Sequence, residues 1–151
     1  MEDKAFMLQQ SFNRVYSKFK LHFYQKVFEK FQDREATLTT VETFCMEIIN
    51  AMNGPTVNEF AKVANLSSPN AAYKVNHLVK KGYLEKVQST SDKREYHLQV
   101  TQKYLNYYNI SSSYMHSVIR KLQERLDESE METMIKILTM MDEEIMIEVP
   151  I

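Results

Sequence analysis

One short segment carries polar side chains at the spacing of a single helix face. Asn70, Tyr73, Lys74 and His77 fall together at 3.6 residues per turn, while Ala71, Val75, Leu78 and Val79 fall on the other side. Asn pairs bidentately with adenine, Lys addresses guanine, and Tyr can contact a thymine methyl or a phosphate. With Ser68 and Pro69 at the segment's start, this face is a candidate reader of base edges.

A second set of charges follows within thirty residues. Asp92, Lys93 and Arg94 lie in a polar run between two predicted strands. The first strand contains Leu84 and Val87, and the second contains Tyr96, Leu98 and Val100 at alternate positions. This pattern predicts a β-hairpin with a charged tip. The candidate phosphate contacts in the same region are Lys80, Lys81 and Lys86.

Local signals define the elements that must position these side chains. Thr56 can cap a first helix, and Ser67 or Ser68 a second one with Pro69 in its first turn. Gly82 suits the left-handed residue that ends the second helix. A helix-turn-helix followed by a hairpin wing is typical of proteins that dock on duplex DNA.

In this order the elements resemble the MarR family of winged-helix regulators over nearly the whole chain. The resemblance rests on Leu38-Thr39-Thr40-Val41-Glu42, on Asn65-Leu66-Ser67, on the Lys-Lys-Gly that ends the recognition helix, on Asp92-Lys93-Arg94 and on Leu98-Gln99-Val100-Thr101. It implies that Arg94 enters the minor groove and that Asp92 holds an arginine or a backbone group. Two positions depart from the family pattern: Tyr73 stands where an arginine is usual, and Tyr104 near a usual glycine. The target sequence is therefore not specified by the resemblance.

Long amphipathic helices flank the predicted winged helix, so we expect a mainly α fold (α+β). The predicted divisions are an N-terminal dimerisation helix (1–36), a winged helix-turn-helix (37–101) and C-terminal dimerisation helices (102–151). Thr40 to Met52 is predicted as the second helix, and Thr101 as the cap of a long helix that ends near Asp127. Apolar residues at helical spacing, such as Leu8, Phe12 and Val15 in the N-terminal helix, form long stripes that need a partner to cover them. These stripes predict a homodimer on a pseudo-palindromic operator. Packing of all stripes within one monomer is the alternative.

In the resembling family, the junction between the dimer helices and the DNA-binding lobe holds an effector pocket. The lining residues that this implies here are Tyr16, Phe19, Phe23, Phe44, Ile48, Tyr104 and Tyr108. Such a pocket would suit a small phenolic or amphipathic effector that releases a repressor from its operator. The alternative is that these residues form ordinary core.

Composition excludes several other classes of function. With two glycines and no nucleotide-binding or hydrolase motif, the sequence gives no support for an enzyme, a cofactor or a metal site. The single Cys45, expected to be structural rather than a peroxide sensor, and an N-terminus without signal-peptide character indicate a cytoplasmic protein.

Charge is segregated along the chain although the net charge is only −1. Residues 67–97 hold six basic and three acidic side chains, whereas residues 98–151 hold five basic and nine acidic ones. The positive segment is the predicted DNA face. The weak net charge leaves one alternative open, a winged-helix adaptor that binds proteins rather than DNA.

Overall fold

The computed structural model describes residues 3–34 and 36–151. The chain is mainly helical with one two-stranded antiparallel sheet, which confirms the predicted fold class. In chain order the elements are α1 (Lys4–Phe31), α2 (Thr40–Met52), α3 (Val57–Val63), α4 (Ser68–Lys80), β1 (Leu84–Gln88), β2 (Tyr96–Val100), α5 (Gln102–Tyr108), α6 (Ile110–Gln123), α7 (Glu128–Met140) and a final π-helical turn (Met141–Ile145).

Capping side chains fix where several helices begin. Thr39, Thr56 and Asp127 each accept a hydrogen bond from the backbone N–H of the glutamate three residues later, and that glutamate's carboxylate accepts one from the capping residue's own N–H. Each pair satisfies two N–H groups that a helix start would otherwise leave without partners. The predicted bounds of α2 are confirmed, and the predicted break near Asp127 is the start of α7.

The core lies between α2, α3, α4, the hairpin and α5. Its fully buried side chains include Phe60, Val75, Leu78, Leu98 and Tyr104. They belong to one contiguous apolar cluster that extends from Leu38 to Tyr108. The amphipathic faces seen in the sequence therefore meet in the winged-helix part of the chain.

The hairpin docks on the loop between α2 and α3. Leu84 pairs with Val100 and Gln88 with Tyr96, which fixes the register. The N–H of Leu98 donates to the carbonyl of Pro55 at 2.7 Å, and Nδ1 of His97 lies 2.8 Å from the carbonyl oxygen of Gly54. The wing is thus attached to the helix-turn-helix by hydrogen bonds as well as by apolar packing.

One prediction about the helix after the wing is wrong. Instead of one long helix capped by Thr101, the chain forms α5 and α6 with a break at Asn109, whose φ of −75° and ψ of 62° are not helical. Thr101 occupies the N-cap position of α5, but its hydroxyl donates to the carbonyl of Gly82 at 2.6 Å and makes no capping hydrogen bond. The break lets α5 follow the winged-helix core, where Tyr104 and Tyr108 are buried, while α6 packs against α1.

Candidate nucleic-acid interface

Helix α4 presents its polar face to solvent because its apolar face packs into the core. Ala71, Val75 and Leu78 are completely buried. On the opposite side Tyr73 is 65% exposed, and its ring centroid lies 5.1 Å from that of His77. Three further candidates, Ser68, Pro69 and Asn70, are also exposed, whereas Lys74 is half-buried.

The start of α4 is fixed by Ser67, which resolves the choice between two capping residues. Its hydroxyl accepts from the N–H of Asn70 at 3.3 Å. The helix ends in a Schellman motif, in which the N–H of Tyr83 donates to Leu78 and that of Gly82 to Val79, each at 3.0 Å. Gly82 has a φ of +85°, a conformation that glycine adopts without steric cost.

At the tip of the wing, one carboxylate organises an arginine. Oδ1 of Asp92 accepts from the backbone N–H of Arg94 at 2.9 Å and from its Nε at 3.2 Å, while Oδ2 accepts from Nη2 at 3.2 Å. These hydrogen bonds lower the pKa of Asp92. The Arg94 side chain remains 91% exposed. A guanidinium held in this way is oriented before it meets a partner, which reduces the entropy lost on binding.

The lysines predicted to contact phosphates, and Lys93, predicted to bind at the minor groove, occupy different environments. Lys80 and Lys93 are exposed, and Nζ of Lys86 donates to Oδ1 of Asn76 at 2.8 Å, which ties the first wing strand to α4.

Lys81 does not fit its predicted role as a phosphate contact. Its Nζ donates to the carbonyl of Thr37 and to Oε1 of Glu42, both at 2.8 Å. This half-buried ion pair lowers the pKa of Glu42 against the opposing effect of burial. Lys81 therefore anchors the end of α4 to the start of α2. This contact requires the segment around Thr37 to lie beside the end of α4. The two are 44 residues apart in sequence, so local patterns do not reveal it.

Lys62 was missed by sequence reasoning and belongs to the same surface. It lines a groove of about 350 Å³ between α3 and the wing, together with Lys86 and Arg94. Two carboxylates, Glu59 and Glu95, also line this groove. The only signal in the sequence was the position of Lys62 on the polar side of α3, because the wing reaches it only in the folded chain.

Four of the seven predicted effector-pocket residues come together. Tyr16, Phe19, Phe23 and Phe44 line a cavity of about 390 Å³ between α1, α2 and the start of α6. Lys20, Tyr24 and Ser111 complete the lining.

The other three predicted pocket residues lie elsewhere. Tyr104 and Tyr108 are buried in the winged-helix core with their rings stacked 6.5 Å apart, and half-buried Ile48 packs against that core. They do not line the cavity because the Asn109 break turns α5 into the core.

A half-buried carboxyl group in α2, that of Glu47, also escaped sequence reasoning. The hydroxyl of Tyr104 donates to Oε1 of Glu47 at 2.6 Å. Burial raises the pKa of Glu47, although hydrogen bonds from Tyr104 and Ser111 favour its charged form. Glu47 therefore contacts both α5 and α6 across the break at Asn109. Since Glu47 is one of several polar residues in α2, nothing in the neighbouring sequence indicated that it would be withdrawn from solvent.

The remaining reactive side chains have structural surroundings. Cys45 is buried, and this burial raises the pKa of its thiol, the opposite of what a reactive cysteine needs. Within residues 3–34 and 36–151, no group of three His, Cys, Asp or Glu side chains is arranged to hold a metal ion. No helix in these two stretches combines the length and apolarity that a membrane crossing requires.

The arrangement of capped helix, exposed recognition face and arginine-bearing wing has a known counterpart. Residues 38–96 match the model of the MarR family. The winged-helix segment of this chain is therefore similar to that family. The match begins at Leu38, just before α2, and ends at Tyr96, the first residue of β2, so it contains α3, α4 and Asp92-Lys93-Arg94.

Solved structures of other proteins share the fold along most of the chain. A mutant of MepR from a multidrug resistant S. aureus clinical isolate is similar with a TM-score of 0.61 and 21% identity, over 93% of this chain and 96% of that one. Streptococcus pneumoniae FabT in complex with DNA gives a TM-score of 0.54 and 22% identity, over 87% and 92%. A second S. aureus MepR mutant, bound to an oligodeoxyribonucleotide, gives 0.50 and 20%, over 89% and 94%. No curated protein matches the chain by sequence.

Proposed function

We propose that this protein is a transcriptional regulator that binds a pseudo-palindromic DNA operator as a homodimer and represses transcription. The observation that carries the proposal is the pairing of two exposed elements. They are the polar face of α4, with Asn70, Tyr73 and His77, and a wing whose Arg94 is oriented by Asp92. The family match and the two similar structures that contain DNA support a DNA-binding regulator.

Each element has a separate part in the proposed complex. The α4 face enters the major groove, where Asn70 and Lys74 contact base edges. Arg94 and Lys93 bind at the minor groove, while Lys80, Lys86 and Lys62 contact phosphates. In this arrangement Lys81 does not contact DNA. Its hydrogen bonds to Thr37 and Glu42 hold the C-terminal end of α4 in place.

Dimer formation is supported by apolar surface that one protomer leaves uncovered. Leu8 is 70% exposed, and with Phe12, Met134 and Leu138 it lines a groove of about 700 Å³ between α1 and α7. A second copy related by a twofold axis would cover these helices and place two copies of α4 about 34–36 Å apart. We also propose that an amphipathic effector in the cavity lined by Tyr16, Phe19, Phe23 and Phe44 releases the operator.

The test is selection of bound duplexes from random DNA, followed by affinity measurements on the winning sequence across salt concentrations. We expect an enriched inverted repeat and a steep negative dependence of log affinity on log salt. The absence of enrichment together with a flat salt response would contradict DNA binding and would favour the protein-binding adaptor.

A further inference from the structure

Methionine is concentrated in α7 and the turn that follows it. Half of the ten methionines of the chain lie there, namely Met131, Met134, Met140, Met141 and Met146. Met131, Met134 and Met141 are separated by three or seven residues and therefore share one face of the helix, whereas Met140 lies off that face. The proposed DNA contacts involve α3, α4 and the wing, so they give this face no role.

Two of these residues, which we call the groove methionines, are Met134 and Met141. Both line the groove of about 700 Å³ between α1 and α7 that the proposed second copy covers. Leu8, Phe12 and Leu138 line the same groove and make it predominantly apolar. Met134 is 36% exposed in one protomer and Met141 is half-buried. A small water-soluble reagent can therefore reach both side chains when a protomer is alone.

The reaction open to an accessible thioether is oxidation by a peroxide. The sulfur attacks one oxygen of hydrogen peroxide, an S–O bond forms and the O–O bond breaks. The sulfur loses two electrons, and the second oxygen leaves as water with both protons. The product is methionine sulfoxide, a polar hydrogen-bond acceptor. The thiol of Cys45 is buried and does not have the exposed, low-pKa character of a reactive cysteine, so the methionines are the accessible sulfur groups.

A sulfoxide in the groove would favour separate protomers. In a lone protomer water can solvate the new oxygen, whereas a second copy would bury it against apolar side chains. Two polar side chains of the groove are already engaged. The carboxylate of Glu130 accepts from the N–H of Asp127 at 3.0 Å, and the hydroxyl of Thr133 donates to the carbonyl of Ser129 at 2.9 Å. In a twofold dimer each groove methionine occurs twice, so the cost of burial is doubled.

We propose that Met134 and Met141 are an oxidation site through which a peroxide dissociates the homodimer and thereby releases the operator. This inference rests on the proposed homodimer and adds a means of regulating it. Since the second copy covers both side chains, the peroxide reacts with protomers that are apart, and the oxidised protomers do not reassemble. Enzymatic reduction of the sulfoxides returns the thioethers and with them the dimer.

The test is sedimentation equilibrium on the DNA-free, full-length protein before and after hydrogen peroxide treatment, with peptide mass spectrometry to locate the added oxygen. Oxidation of the groove methionines should raise the dissociation constant of the dimer at least about 100-fold. Treatment with the two stereospecific methionine sulfoxide reductases should reverse this change. The groove methionines should also oxidise more slowly as the protein concentration rises, because the dimer covers them, whereas exposed Met140 should oxidise at a constant rate.

Two double variants assign the effect to the groove. Met134→Leu/Met141→Leu keeps apolar side chains of similar volume that cannot be oxidised, so its dimer should resist peroxide. The matched control, Met140→Leu/Met146→Leu, removes two exposed methionines of the same segment that are not among the described lining residues of the groove. It should dissociate on peroxide treatment as the parent does. Thermal unfolding should show that both double variants are folded.

The outcomes separate this inference from the proposed function. A parent protein that is monomeric before peroxide treatment would contradict the proposed homodimer and the inference together. A dimer that persists although mass spectrometry shows both groove methionines oxidised would overturn the inference and leave the homodimer standing. Equal dissociation of the two double variants would also overturn it, since oxidation elsewhere would then be the cause.

Discussion

The winged-helix lobe and the outer helices of this protein use apolar residues in opposite ways. In the lobe, from Leu38 to Tyr108, one contiguous cluster of large apolar side chains is completely buried, among them Phe60, Tyr83 and Tyr104. In α1, α6 and α7 the buried residues are Val27 and Ile110, and α7 has none. The large exposed residues of the outer helices include Phe6, Leu8, Phe12, Phe28, Met115, Ile135 and Leu138.

This difference distinguishes the lobe, which one protomer stabilises by itself, from the outer helices, whose apolar surface the proposed dimer would cover. Capped helices, a fixed hairpin register and a closed apolar cluster give the lobe a core of its own. The outer helices have apolar stripes that remain in water in a lone protomer, and most helical stability comes from packing such a face. We therefore expect substitutions in the lobe to change folding and those in the outer helices to change assembly.

The strongest test of this distinction compares two phenylalanines. Phe60→Ala should lower the free energy of unfolding by about 3–5 kcal/mol, because Phe60 is fully buried and its removal leaves a cavity. Phe12→Ala, measured in a monomeric background, should cost less than about 1 kcal/mol, since Phe12 is 49% exposed in one protomer. Urea denaturation followed by circular dichroism measures both. Similar losses in the two variants would contradict the distinction.

A charge in the groove between α1 and α7 should separate assembly from folding. Leu138→Glu should weaken the dimer by at least about 100-fold, or about 2.7 kcal/mol, because the interface would bury an unpaired carboxylate. Sedimentation equilibrium gives the dissociation constant. Lys136→Gln, which changes the net charge equally on α7, should leave it unchanged. An unaltered dimer in the Leu138→Glu variant would place the interface elsewhere.

Within the lobe, the wing can be tested without disturbing the core. Arg94→Ala should cost about 1–3 kcal/mol of operator binding and leave the free energy of unfolding almost unchanged, since the side chain is exposed. Asp92→Asn should cost less, about 1 kcal/mol, because Arg94 keeps its charge and loses only part of its orientation. Fluorescence anisotropy with the selected operator measures both. Unchanged affinity after Arg94→Ala would exclude the wing from the interface.

The sequence predicted the parts of the lobe that short-range signals specify. Thr39 and Glu42 mark the start of α2, Gly82 marks the end of α4, and the change of apolar period marks the wing. Each signal lies within a few residues of the feature that it determines. The positions of these elements could therefore be predicted without knowing the tertiary structure.

What the sequence did not predict depends on residues distant along the chain. The apolar period continues through Asn109, so it could not reveal that Tyr108 enters the core while Tyr114 stacks on His22. Lys81 resembles a phosphate-binding lysine until Thr37 and Glu42 are placed beside it. The helical spacing of Tyr104 is equally compatible with a residue that lines a pocket and with one that packs in the core. In each case tertiary packing decides between interpretations that the local pattern leaves equivalent.

The smallest expected effect concerns the carboxyl group at the junction of the two regions. Burial raises the pKa of Glu47 in the folded state, so its stabilising contribution is complete below its unfolded pKa and is lost as pH rises through the folded value. Glu47→Gln cannot ionise, yet its amide oxygen can still accept from Tyr104. The Tm of this variant should match that of the parent at low pH and exceed it increasingly towards pH 7.

Thermal unfolding between pH 4.5 and 7.5 measures this difference, with Glu132→Gln on the exposed face of α7 as the control for the change in charge. A control that matches the parent's pH dependence would assign the effect to the half-buried Glu47 carboxyl group. If Glu47→Gln is instead less stable than the parent at pH 7, the hydrogen bonds from Tyr104 and Ser111 outweigh the desolvation of the carboxylate. The charged form would then hold α5 and α6 together across Asn109, and the lobe and the outer helices would be joined by an ionised group rather than by apolar packing.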